Sequence, residues 1–95
     1  MTKKAIQEKY DKALQIVTKD IELYKNDVIM DINKYNKTSY DIYSLSPREL
    51  RKAVIQTLEI IEDEKEKRSL MLTYEGYQKL RREHSLIVEF LGDIQ

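Results

Sequence analysis

Apolar side chains in the first third of the chain recur at steps of three or four residues. Ile6, Tyr10, Leu14, Val17, Ile21, Tyr24, Val28, Ile32 and Tyr35 form the series, with Ala13 and Met30 beside it and Lys, Asp, Glu, Gln and Asn between. That spacing places the apolar set on one face of an α-helix over about nine turns, and it predicts a helix over residues 3–35. At 1.5 Å per residue such a rod is roughly 50 Å long. A compact domain of this size has a radius of gyration of only about 12–13 Å. The rod therefore needs a long partner to cover its stripe: the rest of the chain, a second copy joined through this helix, or both.

The period is lost in "NKTSYDIYSL", residues 36–45. Asn, Thr, Ser and Asp compete with the backbone for hydrogen bonds and favour turns, so a loop is expected over 36–46. It ends at a sharp boundary. Ser46 suits an N-cap, Pro47 fits the first helical position, Glu49 completes a capping box, and Leu45 with Leu50 makes a hydrophobic staple. The helix starting at Pro47 carries Leu50, Val54, Leu58 and Ile61 on its stripe. The charged run "EDEKEKR", residues 62–68, pairs Asp63 with Lys67 and Glu64 with Arg68 at helical spacing, which predicts that the helix continues to 69. Thr73 with Glu75 offers a fresh start. Gly76 within a continuous helix would cost about 1 kcal/mol relative to Ala. Tyr77, Leu80, His84, Ile87 and Leu91 then resume a stripe, and Gly92 stands where a C-terminal glycine cap belongs. The expected helices are 3–35, 47–69 and 74–91. They form one all-α domain over 1–95, an elongated three-helix bundle with a long N-terminal helix. The alternative is a two-helix antiparallel hairpin with 47–91 as a single rod. Glu8 with Lys12 and Glu22 with Lys25 are in register for exposed ion pairs.

Composition narrows the function classes. Seventeen basic and seventeen acidic side chains cancel, so the chain lacks the cationic excess usual in proteins that bind phosphate backbones. It has no cysteine, which excludes disulfides, thiolate metal sites and cysteine nucleophiles. No apolar run approaches the ~18 residues of a membrane span, and the charged start "MTKKAIQEKYDK" has no hydrophobic signal core, so a cytoplasmic protein is expected. The wealth of Lys, Ile, Tyr and Asn is that of an AT-rich genome, such as a low-GC bacterium or its phages.

Chemistry-bearing sets are few. His84, the one histidine, falls on a helical stripe with no nucleophile and orienting carboxylate read beside it, so it is expected to be packed. Glu59, Glu62, Asp63 and Glu66 would share a helix face and offer oxygen ligands to a hard cation. "EDEKE" resembles one half of the metal motif of the all-α NTP pyrophosphohydrolases, whose second half is E-x-x-D. Here Glu89 and Asp93 are four apart rather than three. That resemblance implies metal-dependent nucleotide hydrolysis as a third reading. With two glycines in the chain no phosphate loop can be built. No catalytic residues, cofactor or metal ligands are assigned.

Two basic clusters, Arg48, Arg51, Lys52 and Lys79, Arg81, Arg82, would suit a helix-turn-helix regulator of transcription. Against it, residues 59–66 hold five acids and one lysine. Seven tyrosines without a tryptophan point elsewhere. Their hydroxyls need partners, and tyrosine is frequent at interface hot spots. Tyr40 and Tyr43 on the loop, with Tyr74 and Tyr77 at the second joint, are the expected partner-binding residues. The leading expectation is a small non-catalytic interaction module, a regulator, adaptor or inhibitor encoded by a phage or mobile element, that docks on a larger protein.

Overall fold

The computed structural model describes residues 2–94. Three helices account for most of them: α1, Lys3–Asn36; α2, Pro47–Ile60; and α3, Glu64–Asp93. Among the described residues there is no strand, and no helix is long and apolar enough to cross a membrane. The molecule is elongated, 54 × 24 × 17 Å, with a radius of gyration of 16.3 Å.

α1 begins where the Thr2 side chain accepts from the Ala5 amide, and it ends with Lys37 in the left-handed region, φ 56°. α1 and α3 run antiparallel as the long pair. Tyr10 stacks on Phe90 with ring centroids 4.4 Å apart, Tyr24 lies against Gly76, and Lys34 Nζ stands 3.5 Å from Glu66 Oε1. From Tyr10 to Lys34 the α1 positions rise while their α3 partners fall from Phe90 to Glu66, as an antiparallel pair requires.

α2 starts as the sequence dictates. Ser46 Oγ accepts from the Glu49 amide at 3.2 Å, and Glu49 Oε1 accepts from the Ser46 amide at 3.1 Å. Leu45 and Leu50 are both buried beside this boundary, as a staple requires. α2 is short, about 20 Å against about 50 Å for α1, so it covers only one end of the long pair. There Val28, Ile29, Ile32, Leu50, Val54, Ile61, Leu70 and Tyr77 form the core, closed by Leu45 from the loop. A buried polar link fixes α2 to the end of α1. Asn36 Nδ2 donates to Thr57 Oγ1 at 2.7 Å, and the Thr57 hydroxyl donates to the Ala53 carbonyl. Because Asn36 also donates to the Ile32 carbonyl, its amide is held inside the fold.

The second boundary differs from expectation. The helix does not run to 69 and restart at 74: it breaks over residues 61–63, and α3 is continuous through 69–74. The cause is Asp63, whose carboxylate accepts from the Lys65 and Glu66 amides and caps α3. Ile61 is buried at the corner. An apolar anchor followed by a cap outweighs the ion pairs foreseen across this run. Among the described residues the ion pairs are Lys34–Glu66 and Glu64–Lys67, so none of the four helical pairs foreseen forms. Thr73 does not cap a helix; its hydroxyl donates to the Ser69 carbonyl within α3. Gly76 is interior, and its purpose is close approach. A Cβ there would come 2.8 Å from Tyr24 Cε1. Gly92 is not a left-handed cap either, since α3 passes through it and ends at Ile94 in the right-handed region.

Candidate interaction cleft

The loop after α1 is ordered by side chains, not by burial. Asn33 reaches out of the last turns of α1: its Nδ2 donates to the Tyr40 carbonyl, and its Oδ1 accepts from Thr38 Oγ1 and from the Tyr40 amide. Asp41 organises the tip. Its Oδ1 accepts from the Tyr43 amide at 2.8 Å and from Ser44 Oγ at 3.1 Å, while the Asp41 amide donates to Ser44 Oγ. Those bonds from Tyr43 and Ser44 hold the Asp41 carboxyl below its ordinary pKa. The tip is an Asx turn, and it holds Tyr43 outward with 83% of its surface exposed.

Where this loop folds back over the α1–α3 pair it leaves a cleft of about 400 Å³. Tyr43, Tyr77, Arg81 and His84 line it, with Ile21 and Ile42 at the base and Glu22 and Lys25 at the rim. Arg81 Cζ stands 5.9 Å from the centre of the Tyr77 ring, within reach of a cation–π contact. Burial raises the Tyr77 hydroxyl above its ordinary pKa, and the Arg81 charge acts the other way. The cleft thus combines one buried aromatic, Tyr77, one exposed aromatic held by the loop, Tyr43, and the side chains of Arg81, Lys25 and His84, with Glu22 as its one carboxylate.

Of the four tyrosines named as partner-binding residues, Tyr43 and Tyr77 meet here. Tyr40 is on the same loop, with its backbone tied to Asn33. Tyr74 belongs to a second groove of about 360 Å³ between α2 and α3, with Arg51, Ile55, Leu58 and Met71. The six basic residues do not form one patch. Arg51 joins the Tyr74 groove, and Arg81 and Arg82 share a shallow surface with Gln78. Lys79 stands about 200° round α3 from Arg81, on the other side of the helix. Arg48 and Lys52 are exposed on α2. A helix-turn-helix recognition helix reads bases with its N-terminal residues. Here "YQKLRREH" lies in the middle of α3, and the first turn of α3 holds Glu64 and Glu66. The acidic quartet is likewise dispersed. Glu59 is on α2, Glu62 and Asp63 are in the break, Asp63 is used as a cap, and Glu66 faces Lys34. No cluster of metal-ligating side chains occurs among the described residues.

Sequence reasoning missed Asn33, Ile42 and the cleft role of His84. His84 is half-buried on the expected stripe, yet it also lines the cleft. An Asn in the last turn, three residues before the helix ends, was the available signal for Asn33. Nothing local foretells the cleft, which exists only where the loop crosses the long pair. Comparison with protein-family models, with curated proteins and with solved structures gives no match.

Proposed function

We propose that this protein is a small non-catalytic interaction module that docks on a larger protein through the cleft beside the loop. The observation that carries the reading is order without burial at Tyr43. Seven hydrogen bonds within residues 33–44 fix the loop, counting the backbone bond from the Ser44 amide to the Asp41 carbonyl, yet its aromatic tip stays in solvent. A preorganised aromatic pays little entropy on binding and fits a hot-spot anchor. Arg81 and Lys25 beside it suit a partner segment that carries an acidic side chain next to an apolar one. A regulator, adaptor or inhibitor would work in this way, and a phage or mobile element is the kind of source the composition suggests.

A photo-crosslinking amino acid at position 43, used in the cell that encodes the protein, tests this. One discrete protein adduct is expected, lost on Arg81→Glu while the fold is retained. Absence of any protein adduct would overturn the reading. Recovery of nucleic acid instead, with salt-sensitive duplex binding lost on neutralising Arg48, Arg51, Lys52, Lys79, Arg81 and Arg82, would replace it with a DNA-binding regulator.

A further inference from the structure

The charged groups of the cleft divide by side. α1 brings Glu22 and Lys25, the loop brings Tyr43, and α3 brings Arg81 and His84 one turn apart. Two carboxylates share Lys25. It stands one turn from Glu22 on α1, and, after the bonds from Tyr43 and Ser44, its charge also lowers the Asp41 carboxyl. The α3 pair has no such neighbour. Among the described residues neither Arg81 nor His84 makes an ion pair. The contacts Tyr10–Phe90 and Tyr24–Gly76 set the relative heights of the two helices. By them Glu22 stands about 9 Å along the rod from His84, and Asp11, the next acid on that side of α1, about 8 Å the other way. No residue of α2 lines the cleft, and Arg51, which reaches α3 at Gln78, is basic too.

We infer, resting on the cleft proposed above as the binding site, that Arg81 and His84 are the end of it that receives a carboxylate, and that His84 takes a proton from solvent as the carboxylate arrives. The apolar group beside that carboxylate lies on Ile21, Ile42 and Tyr77, under Tyr43. The cleft holds about 400 Å³, within the range of sites for a small ligand, so a ring joined to a carboxylate by a short chain fits it.

Two cations one turn apart repel, and an anion lying against both turns that repulsion into attraction. Imidazole is the side chain that can supply the second charge near neutral pH. The α3 side of the cleft therefore offers a carboxylate one positive charge with His84 neutral and two with it protonated. Because the bound carboxylate favours the protonated ring, affinity rises as pH falls through the range where imidazole titrates, and it is lowest above that range. Burial keeps the Tyr77 hydroxyl neutral throughout, against the opposing pull of Arg81. Docking on an acidic partner segment is thus coupled to a proton, and acid tightens it.

The probe is 3-phenylpropionate, a ring two carbons from a carboxylate, with 3-phenylpropanamide as its uncharged counterpart. Amide resonances of the full chain are followed by NMR as each is added, at about pH 6 and about pH 8, on either side of the imidazole range. Shifts are expected at Tyr43 and Ser85. The dissociation constant of the carboxylate should be on the order of 1 mM near pH 6 and at least about threefold weaker near pH 8. The amide should show no such difference. At a fixed pH of about 7 the His84 ring-proton resonance should move toward its imidazolium position as the carboxylate is added. His84→Gln should remove the pH dependence, and Arg81→Gln should weaken the carboxylate at both pH values. Far-UV circular dichroism of each variant checks that helix content is kept. No carboxylate binding at about 20 mM near pH 6 would overturn the inference. So would equal affinity at the two pH values, a His84 ring proton that does not move, the same pH dependence with the amide or in His84→Gln, or an Arg81→Gln chain that binds as well as the natural one. The photo-crosslink at position 43 judges docking separately. A protein adduct without probe binding keeps the docking site and overturns the carboxylate pair, whereas probe binding without an adduct keeps the pair and overturns docking.

Discussion

The two halves of α1 obey the same pattern and meet different fates. Toward its C-terminus Val28, Ile29 and Ile32 are almost fully buried, between α3, α2 and the loop. Toward its N-terminus Ile6, Tyr10, Leu14 and Val17 are only half-buried, because α3 alone covers them. Periodicity thus decides which side of a helix turns inward, while the length of the neighbours decides how much of that side is hidden. α2 is too short to reach the outer half, and that half must lean on one seam. Leu91 alone among the large apolar residues of the outer α3 segment is buried, and it lies outside the main core.

Truncations should separate the halves most strongly. Leu50→Ala or Leu70→Ala removes a fully buried side chain and should cost about 2–5 kcal/mol, a large share of the stability of a small domain. Ile87→Ala or Val17→Ala, half-buried on the outer seam, should cost about 1 kcal/mol. Urea titrations of the four variants compare them, and equal costs would break the distinction.

Gly76 sits near the border between the halves and gives the next effect. Gly76→Ala adds helix propensity but drives a Cβ into the Tyr24 ring, so little net change is expected. In a Tyr24→Ala background the same change should stabilise by about 1 kcal/mol. Thermal melts of the double-mutant cycle read the coupling, and a stabilising Gly76→Ala in the natural chain would show that the contact is not close. Asp63→Ala should cost about 1 kcal/mol through loss of the α3 cap, similar to Ser46→Ala at α2.

Acid should leave the cleft loop standing until late. The Asp41 carboxyl is held below its unfolded value, so what it contributes is present above that value, about 3.8, and is lost as pH falls through the lower folded value. The Tyr43 amide resonance, followed by NMR, should shift with a midpoint below 3.8. A midpoint at or above it would mean that the Asx turn is not formed in solution. The smallest change is foreseen for Tyr35→Phe. The Tyr35 hydroxyl is buried without a hydrogen-bond partner among the described residues, so its removal should be neutral or stabilise by up to about 1 kcal/mol, read from the same melts.

The fold was legible wherever the signals were local and agreed. Residues 44–50 bring a cap, a proline, a capping acid and a staple to one boundary, and all four operate. At Asp63 the signals conflicted. The spacing to Glu66 is that of a capping pair, but the surrounding charges also pair along a helix, and only the burial of Ile61 at the corner decides between them. Gly76 looked like punctuation because the sequence does not reveal that Tyr24 lies over it. The tyrosines of the cleft were visible as candidates, yet which of them meet depends on where a ten-residue loop lands. That is set by Asn33 and by the length of α2, neither of which leaves a mark at Tyr43 or Tyr77.

α1 is one rod with an anchored half and a leaning half. Hydrogen exchange read amide by amide along α1, at a concentration where the chain is monomeric, tests that directly. Protection should rise at least about tenfold between the turn at Leu14 and the turn at Ile29. Uniform protection along the whole of α1 would contradict it.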